Sequence, residues 1–200
     1  MNSKTPKLMK NKANRFLSLA SAATGALLLA GCSIAAIERA NYNVSEVESF
    51  RSAGAPNDVM MLEVVDADNT FPEDFWTDAL SNHGYPRLYF VTDPADAEDN
   101  VTIKPESRLV VVVAPEQATM RGKLCTDPQS VGTRDPNSNV SVRFGFCVGD
   151  KIISETRGHF NNDQLAEQID GNADVIVHQL FPRNMLKTGD RHCSPFLPSC

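Results

Sequence analysis

The side chains able to do chemistry begin with two acidic groups. Asp66 and Asp68 form one, and Asp93, Asp96, Glu98 and Asp99 form the other. Each follows a short apolar run that reads as a strand. If those strands are parallel neighbours, their C-terminal ends bring the acids together at the kind of edge where ligands bind. Paired carboxylates there would suit acid–base hydrolysis or an oxygen-lined cation site. No Asp-x-Asp-x-Asp-Gly loop accompanies them, and acidic loops beside strands are usually solvated. The four histidines, His83, His159, His178 and His192, have no partner at metal-ligand spacing. His83 sits where a cation favours a helix C-terminus. Nucleophile elbows, phosphate loops and nucleotide fingerprints are absent from the sequence. The expectation is therefore no catalytic residue, no metal and no cofactor. The alternative is a hydrolase or cation-binding protein using Asp66, Asp68, Asp93 and Asp96.

Charge narrows the partners. Residues 1–31 hold five basic residues (Lys4, Lys7, Lys10, Lys12, Arg15) and no acid. The rest of the 200-residue chain keeps 14 basic against 25 acidic residues, a formal charge of −11. Such a body repels phosphate backbones, so nucleic acid is not an expected partner. Attachment to an anionic membrane would need an anchor rather than a basic face.

An anchor is written at the start. After the basic run comes an apolar stretch of 15 residues, Phe16 to Ala30. A spanning helix needs about 20, so the layout is that of a secretory leader. Leu29-Ala30-Gly31-Cys32 closes it. These four residues resemble the lipobox of bacterial lipoproteins at every position. The resemblance implies a diacylglyceryl (and palmitate) modification of Cys32, cleavage before it by a type II signal peptidase, and acylation of the new amine. Two or more chains make membrane attachment effectively stable. Ser33 rather than Asp follows, which in that family implies the periplasmic face of the outer membrane over that of the inner. The long basic run suggests Met9 in place of Met1 as the start. An accessory or binding protein facing the periplasm, with an envelope protein as its partner, is the function this implies.

With Cys32 assigned to lipid by that resemblance, Cys125, Cys147, Cys193 and Cys200 remain. An even number in an oxidising compartment favours disulfides, with three pairings open. Cys125–Cys147 and Cys193–Cys200 are the expected pairs. The first would tie a long polar excursion to a strand. The second would close a tight ring with two prolines. Metal binding by His192, Cys193 and Cys200 is the rival, at a spacing that matches no common zinc pattern.

The elements that must position these residues divide the chain into a leader (1–31), a lipidated Cys and tether (32–57), one domain (58–182) and a tail (183–200). Residues 33–57 read as flexible, or as a short helix or edge strand on the body. VMMLEVV at 59–65 reads as a strand. Thr70-Phe71-Pro72-Glu73 reads as a capping box opening a helix with Phe71, Phe75, Trp76, Ala79 and Leu80 on one face. Gly84 suits its C-cap. Strands follow at 88–91 and at 109–113, the latter apolar throughout, as a strand covered on both faces should be. Residues 114–139 read as a polar excursion. A hairpin over 140–156 turns at Gly149-Asp150. Its strict register would set Glu155 opposite Phe144 on the apolar face; the expected arrangement is instead a three-residue loop, or a bulge at Gly145, that puts Ser154 or Thr156 there. A last helix, capped by Asn162, carries Leu165, Ile169, Ala173, Ile176 and Leu180. The fold class is α+β: a mixed sheet of four to five strands with two helices on one face. This order is similar to that of some bacterial envelope-assembly lipoproteins.

Overall fold

The computed structural model describes residues 35–42, 44–66, 71–116, 120–131 and 139–182. The fold is α+β, built on one mixed sheet. The strands are β1 (Ala36–Ile37), β2 (Asn41–Tyr42), β3 (Val59–Val65), β4 (Tyr89–Val91), β5 (Ser107–Val113), β6 (Asn139–Val148) and β7 (Lys151–Asn161). Their order is β1-β7-β6-β5-β3-β4, with β2 also paired to β7. The helices are α1 (Val44–Gly54), α2 (Glu73–Leu80), α3 (Lys123–Thr126) and α4 (Leu165–Leu180).

β3 runs parallel to both β4 and β5, while β5, β6 and β7 are antiparallel. A parallel pair needs a crossover, and α2 supplies it between β3 and β4. β5 is central. Leu109, Val111 and Val113 face the larger core, and Val110 and Val112 face a smaller one on the other side. Burial on both faces explains why this strand has no polar alternation.

The larger core lies between the sheet and α1, α2 and α4. It includes Val47, Trp76, Leu80, Ile169 and Ile176 with Phe144, Phe146 and Phe160. The five expected strands are present, and two more come from residues read as tether. β1 and β2 pair antiparallel with β7, through Ala36 with His159 and Asn41 with Glu155. α1 buries Val47 completely. The described part of residues 32–57 is thus folded onto the body. Pairing covers the outer edge of β7, which a flexible tether would leave open. α1 also makes three helices on the larger core's face instead of two.

α2 begins at Glu73, with Pro72 at the N-cap and no side-chain cap bond. The helix start thus falls with Pro72 at the N-cap in place of the expected Thr70, which lies outside the described residues. The helix stops at Ser81, before Gly84. The Ser81 hydroxyl accepts from the Phe90 amide at 2.9 Å, tying the helix end to β4. Gly84 takes a positive φ of 86° in the turn beyond. At the last helix the cap is Asn161, one residue earlier than expected. Its side chain accepts from Asp163 N, and a 3-10 turn at Asn162–Gln164 leads into α4. The whole expected stripe of α4 is buried.

The hairpin turns at Gly149-Asp150, with Val148 opposite Lys151 and Cys147 opposite Ile152. An irregularity follows on β7. Phe146 then pairs with Ser154, and Phe144 with Thr156. The extra residue is Ile153, so the bulge lies on β7 and not at Gly145. Ile153 is itself buried in the larger core.

Candidate functional site

The second face of the sheet changes character along β6 and β7. Its apolar end holds Val65, Val110, Val112, Cys147 and Ile152. Here the excursion after β5, expected to be polar, folds back through α3 and a 3-10 turn at Pro128–Val131. It places Leu124, Cys125 and Val131 over the sheet. Cys125 and Cys147 are joined by a disulfide with a Cα separation of 5.5 Å, and both are buried. Gly145 makes room for this packing, since a Cβ there would lie 2.2 Å from Leu124 Cδ2. Arg108 fixes the same segment. Its guanidinium donates to Glu63 at 2.7 Å and to the Cys125 carbonyl at 2.7 Å.

Toward the other end the same face becomes polar. Arg143 stands opposite Arg157, Gly145 opposite Glu155, and Ser141 opposite His159. Arg143 is 1% exposed. A buried charge is tolerated only when paired. Glu155 supplies the pair, with Oε1 accepting from Arg143 Nε at 2.8 Å and from its terminal nitrogen at 2.5 Å. Glu155 Oε2 accepts from Arg121 Nε at 3.0 Å. Arg121 also donates to the Asn41 carbonyl at 2.6 Å, joining the excursion to β2. One carboxylate therefore bridges two guanidiniums from different segments. Sequence reading missed this trio. The signal was present in the polar positions of the two alternating strands, which share a face once their apolar positions are assigned.

Beside the trio is a small cleft of about 130 Å³, lined by Pro115, Glu116, Asn139, Ser141, Arg157 and His159. Its arginine, Arg157, forms no ion pair with a described residue, although Glu116 lines the same cleft.

Asp66 is held apart from the acids after β4, with which it was expected to act. β4 ends level with Met61, because Val91 pairs with it. Asp66 is five residues further along β3, about 16 Å at the usual rise. The chain after β4 turns back toward the opposite end of β3, where Thr102 N donates to Asn57 Oδ1 at 3.0 Å. Asp93 spends its carboxylate capping the 3-10 turn at Pro94–Asp96. Asp66 accepts from Phe71 N at 3.3 Å. Asp96 and Glu98 line an open groove with Tyr89 and Asn57, at the Asn57 end of β3. Asp68 lies outside the described residues. The juxtaposition failed because β4 is too short to reach the end of β3. Among the described residues, no group of three His, Cys, Asp or Glu side chains is placed to hold a metal ion.

Each of the three described histidines meets a carboxylate. His83 and His178 approach Asp174 Oδ1 at 3.5 and 3.3 Å, and His159 Nε2 meets Glu38 Oε1 at 2.7 Å. At α1, burial lowers the Arg51 pKa from the usual arginine range, while Asp58 at 2.6 Å and Glu48 oppose that shift. Cys32, Cys193, Cys200 and His192 lie outside the described residues, as do Leu29, Ala30 and Gly31. No helix among the described residues is long and apolar enough to cross a membrane.

No family model matches the chain, and no curated protein does. Solved chains do align with it, among them two described as PelC dodecamers from Paraburkholderia phytofirmans, one of them a point variant. These two cover 75% of this chain and 99% and 100% of their own, at 12% and 13% identity, each with a TM-score of 0.39.

Proposed function

We propose that the protein is a lipid-anchored envelope protein that faces the periplasm and acts by binding rather than by catalysis. The observation that carries this reading is Leu29-Ala30-Gly31-Cys32, directly after a basic and then apolar leader. A buried Cys125–Cys147 disulfide suits an oxidising compartment and so supports export. The fold adds a constraint on the anchor. Only Ser33 and Ile34 separate Cys32 from Ala35, the first described residue. That is three Cα steps, about 11 Å at full extension. Acyl chains on Cys32 would hold the domain against the headgroups rather than on a long leash. Ser33 favours the outer membrane as the destination.

Growth with radiolabelled palmitate tests the anchor. The wild-type chain takes up label and fractionates with membranes. Cys32→Ala takes up none and accumulates as an uncut precursor. Label retained by the Cys32→Ala chain, or absent from the wild type, would end this reading.

A further inference from the structure

We infer that the cleft between the ends of β6 and β7 is a binding site for a singly charged phosphate group. The inference stands on the sheet geometry and does not depend on the anchor.

Arg157 carries it. This half-buried arginine faces Arg143 across the strand pair. Like charges directly opposite each other destabilise a sheet unless each is compensated. Glu155 compensates Arg143 and also takes Arg121. Among the described residues Arg157 has no ion-pair partner, and its buried Nε has no hydrogen-bond partner. Ser141 lines the same cleft, and its buried hydroxyl oxygen also has no hydrogen-bond partner among the described residues. Buried donors left unmade are uncommon in native folds and call for a water, an ion or a ligand. Here two of them, from adjacent strands, belong to residues that line the same cleft.

The donor set selects the ligand. Arg157 offers a fork of N–H groups, Ser141 a hydroxyl and Asn139 a side-chain amide. A planar carboxylate is satisfied by the fork alone. A tetrahedral phosphate has oxygens left for the hydroxyl and the amide. A cleft of about 130 Å³ admits such a group and little more. Glu116 also lines it and is itself engaged in an interaction. Its carboxylate opposes a doubly charged ligand more than a singly charged one, so monobasic phosphate and phosphodiesters fit best.

A phosphodiester can come from a lipid headgroup, and monobasic phosphate from solution, and the test separates them. Inorganic phosphate is titrated into the mature protein while the Arg157 Nε–H resonance is followed by NMR. Binding to phosphatidylglycerol vesicles is measured in parallel by sedimentation. Saturable binding of phosphate identifies a soluble source. Vesicle binding that depends on Arg157, without saturation by free phosphate, identifies the headgroup. In either arm Arg157→Gln weakens binding by at least about tenfold, as loss of a charge-assisted hydrogen bond does. Ser141→Ala, which spares the charges, weakens it by about threefold or more. Glu116→Gln tightens it. No saturable response in either arm overturns the inference, and so does a response that Arg157→Gln and Ser141→Ala leave unchanged.

Discussion

Glu155→Gln is the most informative single change to this fold. It preserves shape and removes the one charge that Arg143 and Arg121 share. The Arg143 side chain is 2% exposed and that of Glu155 is 14% exposed, so little solvent can replace the carboxylate. Stranding one member of a buried ion pair costs roughly 3–5 kcal/mol. Two features reduce this. Glu155 keeps some exposure, and Arg143 has a further interaction of its own. A loss of about 2–3 kcal/mol is expected, or roughly 5–10 °C in Tm for a domain of this size. The contact between Lys151 and Glu46 is the internal control, because those side chains are 57% and 34% exposed. Exposed pairs contribute about 0–1 kcal/mol, so Glu46→Gln should stay within about 0.5 kcal/mol of the wild type. Urea unfolding of the three proteins decides the matter, provided the slopes agree and only the midpoints move. The double change Arg143→Met with Glu155→Leu should recover much of the loss, because it strands no buried charge and leaves only Arg121, 40% exposed, to be solvated. If Glu155→Gln were no worse than Glu46→Gln, the trio would not be a buried pair in solution and the reasoning would fail.

Two further changes probe the smaller core. Gly145→Ala drives a methyl into Leu124 Cδ2, 2.2 Å away, so Leu124 and α3 must shift. A destabilisation of about 1–3 kcal/mol is expected, read as a lower unfolding midpoint, and Leu124→Ala in the same chain should relieve part of it. Replacing Cys125 and Cys147 with Ala frees a segment with a sequence separation of 22. The chain-entropy model puts the loss near 3 kcal/mol. Faster proteolysis around Arg121 should accompany it, and an unchanged midpoint under reducing and oxidising conditions would count against a structural role.

Elements dominated by a large apolar stripe were legible from sequence. α4 follows from Leu165, Ile169, Ala173, Ile176 and Leu180, all of which are buried. β5 follows from an apolar run that only a strand covered on both faces accommodates. Elements held by a few contacts were not. α1 buries Val47 fully while Phe50 is only partly covered, too weak a stripe to separate a helix from a tether. β1 and β2 have two residues each, and their pairing depends on an edge of β7 that is far away in sequence. The excursion hid α3 for a similar reason. Its apolar contribution is mainly Leu124, Cys125 and Val131, and its partners lie on other strands.

The polar site was hidden by a single residue of register. In the strict hairpin set by a two-residue turn, Glu155 faces Phe144 inside the larger core, where an ionised carboxylate has no partner. The bulge at Ile153 shifts β7 by one position, so Thr156 meets Phe144 and Glu155 turns to the second face. The same shift carries Arg157 and His159 to that face, beside Ser141 and Arg143. The bulge therefore does two things with one extra residue. It removes a charge from the apolar core, and it gathers the polar side chains of β6 and β7 into one surface. Apolar alternation in β6 made the need for a shift visible, since Glu155 could not stay where the turn alone would put it. It did not place the extra residue, because Ile153 is as apolar as its neighbour Ile152, and only packing against the larger core separates them. A substitution that relaxed the bulge would therefore bury Glu155, Arg157 and His159 together. The cost of that outcome is what pins the register and, with it, the cleft.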